Sequence, residues 1–157
     1  MTTKKMLQEL VKRKDASPPT VHPDRMTRSG DLQMQEISAQ KAALLRRISE
    51  DVLRLREERG GVLNRAYDFI DAQCHIAAAT MKKVLLGQCS VTRELLYKYT
   101  VGLGLTLEQA QEYFELQGGR LRDDSEEAEL IAFNALKDRD GIDSLMDQFQ
   151  HLLGRKL

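Results

Sequence analysis

VLNRAYDFIDAQCHIAAATMKKVLLGQCSVTRELLYKYTVGLGLTLEQAQEYFELQ, residues 62–117, is the stretch whose reading decides the fold. Apolar residues recur there at helical spacing in four short runs: Val62–Gln73, Ile76–Leu86, Val91–Gly102 and Leu107–Leu116. Gly87, the Gly102/Gly104 pair and Gly118-Gly119 punctuate the runs, and Ser90 and Thr106 stand where N-caps belong. Two helices joined by a turn of a few residues, with further helices behind them, describe a helix-turn-helix. The second helix of such a pair is the one shaped to enter a DNA groove. Here that helix is Ile76–Leu86.

Upstream, a long helix is expected from Leu32 to about Arg59, ended by Gly60-Gly61. Met34, Ile37, Leu44, Leu45, Ile48, Val52 and Leu55 recur near the spacing of a coiled-coil seam, interrupted by Lys41. Residues 44–55 are expected in the core, and the turns before them are offered to a partner. Before this helix, Thr2 or Thr3 caps a short helix to about Lys14, with Met6, Leu7, Leu10 and Val11 as its stripe. Asp15–Gly30, broken by Ser17-Pro18-Pro19, His22-Pro23 and Ser29-Gly30, reads as a linker. Residues 1–30 are therefore expected to be a basic, partly flexible arm. Downstream, Asp124 or Ser125 opens a helix with Asp124 and Glu127 as a reciprocal cap, burying Ala128, Ile131, Ala132, Ala135 and Leu136. Asp140-Gly141 breaks it, and a last helix carries Ile142, Leu145, Met146, Phe149, Leu152 and Leu153 to Gly154. The expected fold is all-α, a compact helical bundle. Residues 31–157 form its single domain, with a helix-turn-helix core over about 44–117 and a C-terminal helical pair over 124–153.

Apolar content of 41% and charged content of 31% suit a soluble globular chain. Three prolines and no alternating Val/Ile run leave strands without support. The apolar runs are too short for a membrane span, no signal sequence opens the chain, and Cys74 and Cys89 suit a reducing compartment. The cytoplasm is the expected location. Net charge is zero but uneven: +4 over residues 1–30, zero over 31–59, +2 over 60–104 and −6 over 105–157. A basic arm and helix-turn-helix beside an acidic tail fit one nucleic-acid-facing side.

Four segments bear on family. Leu55-Arg56-Glu57-Glu58-Arg59-Gly60 closes a first helix, and Ile76–Gly87 stands as a recognition helix. Ser90-Val91-Thr92-Arg93-Glu94-Leu95-Leu96 opens a fourth helix, and Val101-Gly102-Leu103-Gly104-Leu105-Thr106-Leu107-Glu108-Gln109-Ala110 leads into a fifth. On these residues, Leu53–Phe114 resembles the lambda-repressor/Cro-like (xenobiotic-response-element type) helix-turn-helix family. The resemblance implies that Met81, Val84 and Leu85 anchor the recognition helix inward. Ala78, Ala79, Thr80, Lys82 and Lys83 then fall on its outward side. Thr80 offers a hydroxyl and a methyl group, and Lys82 and Lys83 offer ammonium groups to a guanine edge or a phosphate. Arg93 is a further phosphate candidate, with the N–H groups near the Ser90 cap. Three positions depart from the family pattern: Tyr67 stands where a phosphate-holding Gln is usual, Asp71 where a small residue packs, and His75 where a Gly opens the turn.

The expected function is that of a DNA-binding transcriptional regulator, a homodimer on double-stranded DNA. Residues 32–45 or the acidic C-terminal helices would pair the copies. The alternative is a helical protein–protein interaction module, an adaptor or inhibitor, motivated by the alanine-rich recognition helix, the missing Gln and the acidic tail. No enzyme is expected, and no cofactor. Cys74, His75 and Cys89 lack paired metal-ligand spacing. Asp138, Asp140, Gly141 and Asp143 resemble a calcium loop until Gly141 is set at the sixth position, which puts Leu136 where the first carboxylate belongs. Gly102 and Gly104 follow a helix rather than a strand, so they are no dinucleotide fingerprint.

Overall fold

The computed structural model describes residues 28–157, with side chains from Ser38 onward. The chain among these residues is all-helical: α1 (Arg28–Glu58), α2 (Leu63–Cys74), α3 (Ala78–Leu85), α4 (Arg93–Gly102), α5 (Leu107–Gln117), α6 (Glu127–Lys137) and α7 (Ile142–Leu153). The expected helix before Lys14 and residues 1–27 of the arm lie outside the described residues. Arg28–Gly30 were expected in the linker and instead form the first turn of α1. A glycine is cheap at that position, because the first N–H groups of a helix have no intrahelical acceptor in any case.

The long helix carries its seam as expected. Leu44, Ile48, Val52 and Leu55 are buried at spacings of three and four residues. They pack α1 against α2, α3 and α5. One polar group crosses this core. Asp51 of α1 accepts hydrogen bonds from Tyr99 of α4 (2.8 Å) and Tyr113 of α5 (2.5 Å). Burial, with the Asp51 carboxylate alongside, raises both phenols, so they remain donors. Three elements are thereby tied through one carboxylate.

α4 runs through the middle and touches α2, α5, α6 and α7. Its Tyr97 ring lies 5.8 Å from that of Phe114 on α5 and 6.2 Å from that of Phe149 on α7. The C-terminal pair α6–α7 therefore shares a core with the helices before it. Two expected caps move. α4 is capped by Thr92, whose hydroxyl accepts from the Leu95 N–H at 3.1 Å, and Ser90 stays in the preceding loop. α6 starts from Glu126 without a side-chain cap, because Arg122 takes both oxygens of Asp124 at 2.9 and 3.0 Å. The Thr106 cap of α5 stands, completed by the Gln109 side chain into a capping box. Among the described residues no helix is long and apolar enough to cross a membrane.

Candidate nucleic-acid interface

α2 buries Ala66, Tyr67, Ile70 and Cys74 and stops at His75. His75 adopts the left-handed conformation (φ 56°, ψ 37°), the geometry that favours Gly in a tight turn. The turn after α2 is thus made by a histidine with the backbone shape that favours glycine. Lys98 of α4 reaches across to donate to the His75 carbonyl at 3.2 Å, placing a cation on the carboxyl end of α2. Ile76, 2% exposed, pins the turn to the core, and Ala77 precedes α3. Two helices separated by residues 75–77 are therefore present.

The strain at His75 yields a prediction. A left-handed non-glycine residue costs about 1–2 kcal/mol, partly offset by the entropy Gly adds to the unfolded chain. The Nε2 of His75 lies 3.4 Å from Asp143, but both side chains are exposed, so that contact contributes little. His75→Gly is expected to stabilise the fold by about 0.5–1 kcal/mol, and His75→Ala to give no gain. A lower urea midpoint for His75→Gly than for wild type would show that the side-chain contact outweighs the backbone strain.

α3 has eight residues, shorter than the expected Ile76–Leu86. Met81, Val84 and Leu85 are fully buried, which fixes the rotation of the helix about its axis. Ala79, Lys82 and Lys83 are exposed and share one face at i, i+3 and i+4. Thr80 is half-buried, and Ala78 is partly packed on the core. Ala77, at the N-cap and outside the expected outward set, is exposed beside them. No side chain caps the amino end of α3. The carboxyl end closes on Gly87 (φ 72°), where the Gln88 N–H meets the Lys83 carbonyl and the Gly87 N–H the Val84 carbonyl.

The remaining expected positions separate from this face. Tyr67 is 1% exposed, so it cannot hold a phosphate in place of Gln; its ring instead lies 5.4 Å beneath the Lys82 ammonium and steadies it. The exposed residues at the start of α2 are Asn64 and Arg65, which the register drawn through Tyr67 missed. Arg93 is taken up internally. Its Nε and Nη2 reach Glu129 at 2.9 and 2.5 Å, and its Nη1 reaches Gln117 and the Gly119 carbonyl at 3.0 Å. Arg93 thus joins α4 to α6 and stands apart from the lysines of α3.

Burial pushes the Cys74 thiol up to about 12, partly countered by the Lys98 ammonium, so it is unreactive at neutral pH. Its S–H donates to the Tyr99 carbonyl at 3.6 Å. Cys89 is partly exposed in the loop between α3 and α4. The chain matches no family model, no curated protein and no solved structure.

Proposed function

We propose that this chain is a cytoplasmic DNA-binding transcriptional regulator of the helix-turn-helix type, acting as a homodimer, with α3 as its reading helix. One observation carries the reading. A short helix after a tight turn is locked inward by Met81, Val84 and Leu85 and turns Ala79, Lys82 and Lys83 outward together. Rigid presentation matters because groove contacts need side chains held in register with the base edges. The basic balance of residues 1–30, +4, adds backbone attraction. Arg93 has no part in the contact, because its donors are occupied.

Lys82→Glu with Lys83→Glu is expected to lower affinity for mixed-sequence duplex DNA at least tenfold. The same change should flatten the salt dependence by about two units of the log–log slope. Fluorescence anisotropy across a salt series measures both. Wild-type protein that shows no salt-sensitive binding sinks the proposal.

A second reading follows from the exposed face itself. Ala77 and Ala79 are small and apolar, and no Asn, Gln or Arg stands on α3 to make a bidentate base contact. That surface also suits a protein–protein interaction module docking another helix. A partner that binds equally well to the double lysine variant favours this second reading over the first.

A further inference from the structure

Among the described residues only His75 (φ 56°) and Arg139 (φ 61°) hold the left-handed conformation without being glycine. Arg139 lines a cavity of about 340 Å³, and His75 stands at its rim, its Nε2 3.4 Å from the lining residue Asp143. Glycine is what the backbone favours at such helix ends, so an arginine there is accounted for by what its side chain does. Its Nη2 donates to the Gly104 carbonyl at 3.2 Å, which holds the guanidinium at the cavity and leaves Nε and Nη1 unpaired among the described residues. Asp140, half-buried in the same lining, has no hydrogen-bond or ion-pair partner for its carboxylate among the described residues. The wall also takes Gln73, Gly102 and Ala135 from the last turns of α2, α4 and α6, and each helix end adds about half a negative charge. Val101, Leu105, Leu136 and Ile142 give it an apolar side.

We propose that this cavity binds a free α-amino acid with a branched aliphatic side chain, as an effector of the reading helix. An anion alone would meet two carboxylates and three helix ends there, and a cation alone would leave the Arg139 guanidinium against like charge. A ligand with both signs matches the lining. An α-amino acid sets its carboxylate on Arg139 and its ammonium on Asp140, both as charge-assisted hydrogen bonds, and lays its side chain on the apolar side. The volume stands at the small end of the roughly 300–1,000 Å³ range of ligand sites, which suits a small metabolite. Position makes it an effector site. Gly102 meets residues 73 and 74 where α2 touches α4, and His75 begins the turn before α3. A ligand there ties the end of α2 to the start of α7 and braces that turn. The effector role rests on the proposed DNA contact of α3, whereas binding in the cavity stands without it.

Titration calorimetry of the full chain with L-leucine and L-valine tests the site, and saturable binding of at least one is expected. The compounds that lack one of its two charges (isoamylamine and isocaproate for leucine, isobutylamine and isovalerate for valine) should each bind at least tenfold more weakly. Arg139→Gly and Asp140→Asn should each weaken binding at least tenfold. Arg139→Gly should also keep or raise the thermal midpoint, because glycine suits that backbone, so its loss of binding is not a loss of fold. No saturable binding of either amino acid up to about 10 mM overturns the site. So does an amine or acid that binds as well as the amino acid, or binding that either variant leaves intact. Saturating amino acid is expected to shift duplex affinity at least about fivefold. An amino acid that binds yet leaves duplex affinity unchanged keeps the site and overturns the effector role. A protein that ignores duplex DNA altogether loses the proposed function while the calorimetric result stands.

Discussion

Gly102→Ala is expected to cost at least about 3 kcal/mol and to be the most damaging single-methyl change in the described chain. A Cβ at position 102 lands 2.5 Å from both the Cα of Cys74 and the carbonyl oxygen of Gln73, and 2.7 Å from the Cys74 sulfur. Two of those three atoms are backbone, so no side chain can rotate away, and α2 and α4 must separate. Ala is a better helix former than Gly by about 1 kcal/mol, and that gain opposes the clash. The clash wins because separation opens the interface around Cys74, Tyr99 and Ile70, all fully buried. The turn at His75 is braced by the same interface, so presentation of α3 should loosen with it. Urea denaturation of Gly102→Ala checks the magnitude, and hydrogen exchange at residues 78–85 checks the spread. A variant within about 1 kcal/mol of wild type would mean that the two backbones can part at little cost.

Removing Glu129 should do comparable harm by a different route. Its carboxylate is 7% exposed, takes the Arg93 guanidinium on one oxygen and the Arg122 N–H on the other, at 3.1 Å. Glu129→Ala leaves a half-buried guanidinium with neutral partners only. Breaking a buried ion pair from one side costs about 3–5 kcal/mol, and the 28% exposure of the Arg93 side chain places this case near 3. For a chain of this size that lowers the melting temperature by roughly 10 °C. Glu129→Gln keeps an acceptor and should lose about half as much. Replacing both partners with Leu or Met should recover part of the loss, since the uncompensated charge goes with Arg93. Equal damage from the double and single variants would show that the carbonyl contacts of Arg93, rather than its charge pairing, hold α6 in place.

The two positions differ in how they could be read. Gly102 looks like turn punctuation beside Gly104, and Gly104 does take a left-handed turn (φ 70°). Gly102 is the last residue of α4, and its small size serves a contact with residues 73 and 74, far away in sequence. Glu129 follows Ala128 on a helix whose buried face was drawn without it, because a charged residue signals exposure until its partner is known. That partner, Arg93, lies 36 residues earlier. Arg93 in turn looked free for a phosphate for the same reason.

Local signals were legible. The seam of α1 from Leu44 to Leu55 and the Thr106 cap depend on signals within one helix, and the structure has them where those signals put them; Met81, Val84 and Leu85, the inward set that the resemblance implied, are buried. Neither Ser90 nor Asp124 caps its helix, because Thr92, two residues on, takes the cap of α4, and Arg122, two residues back, takes both oxygens of Asp124.

From the sequence alone came the all-helical class and the order of the helices, because periodicity and capping act over a turn or two of chain. Only the tertiary structure decided which polar groups are spoken for. Arg93, Tyr67 and Asp51 take their environments from helices remote in sequence, and a side chain's availability depends on what folding brings beside it.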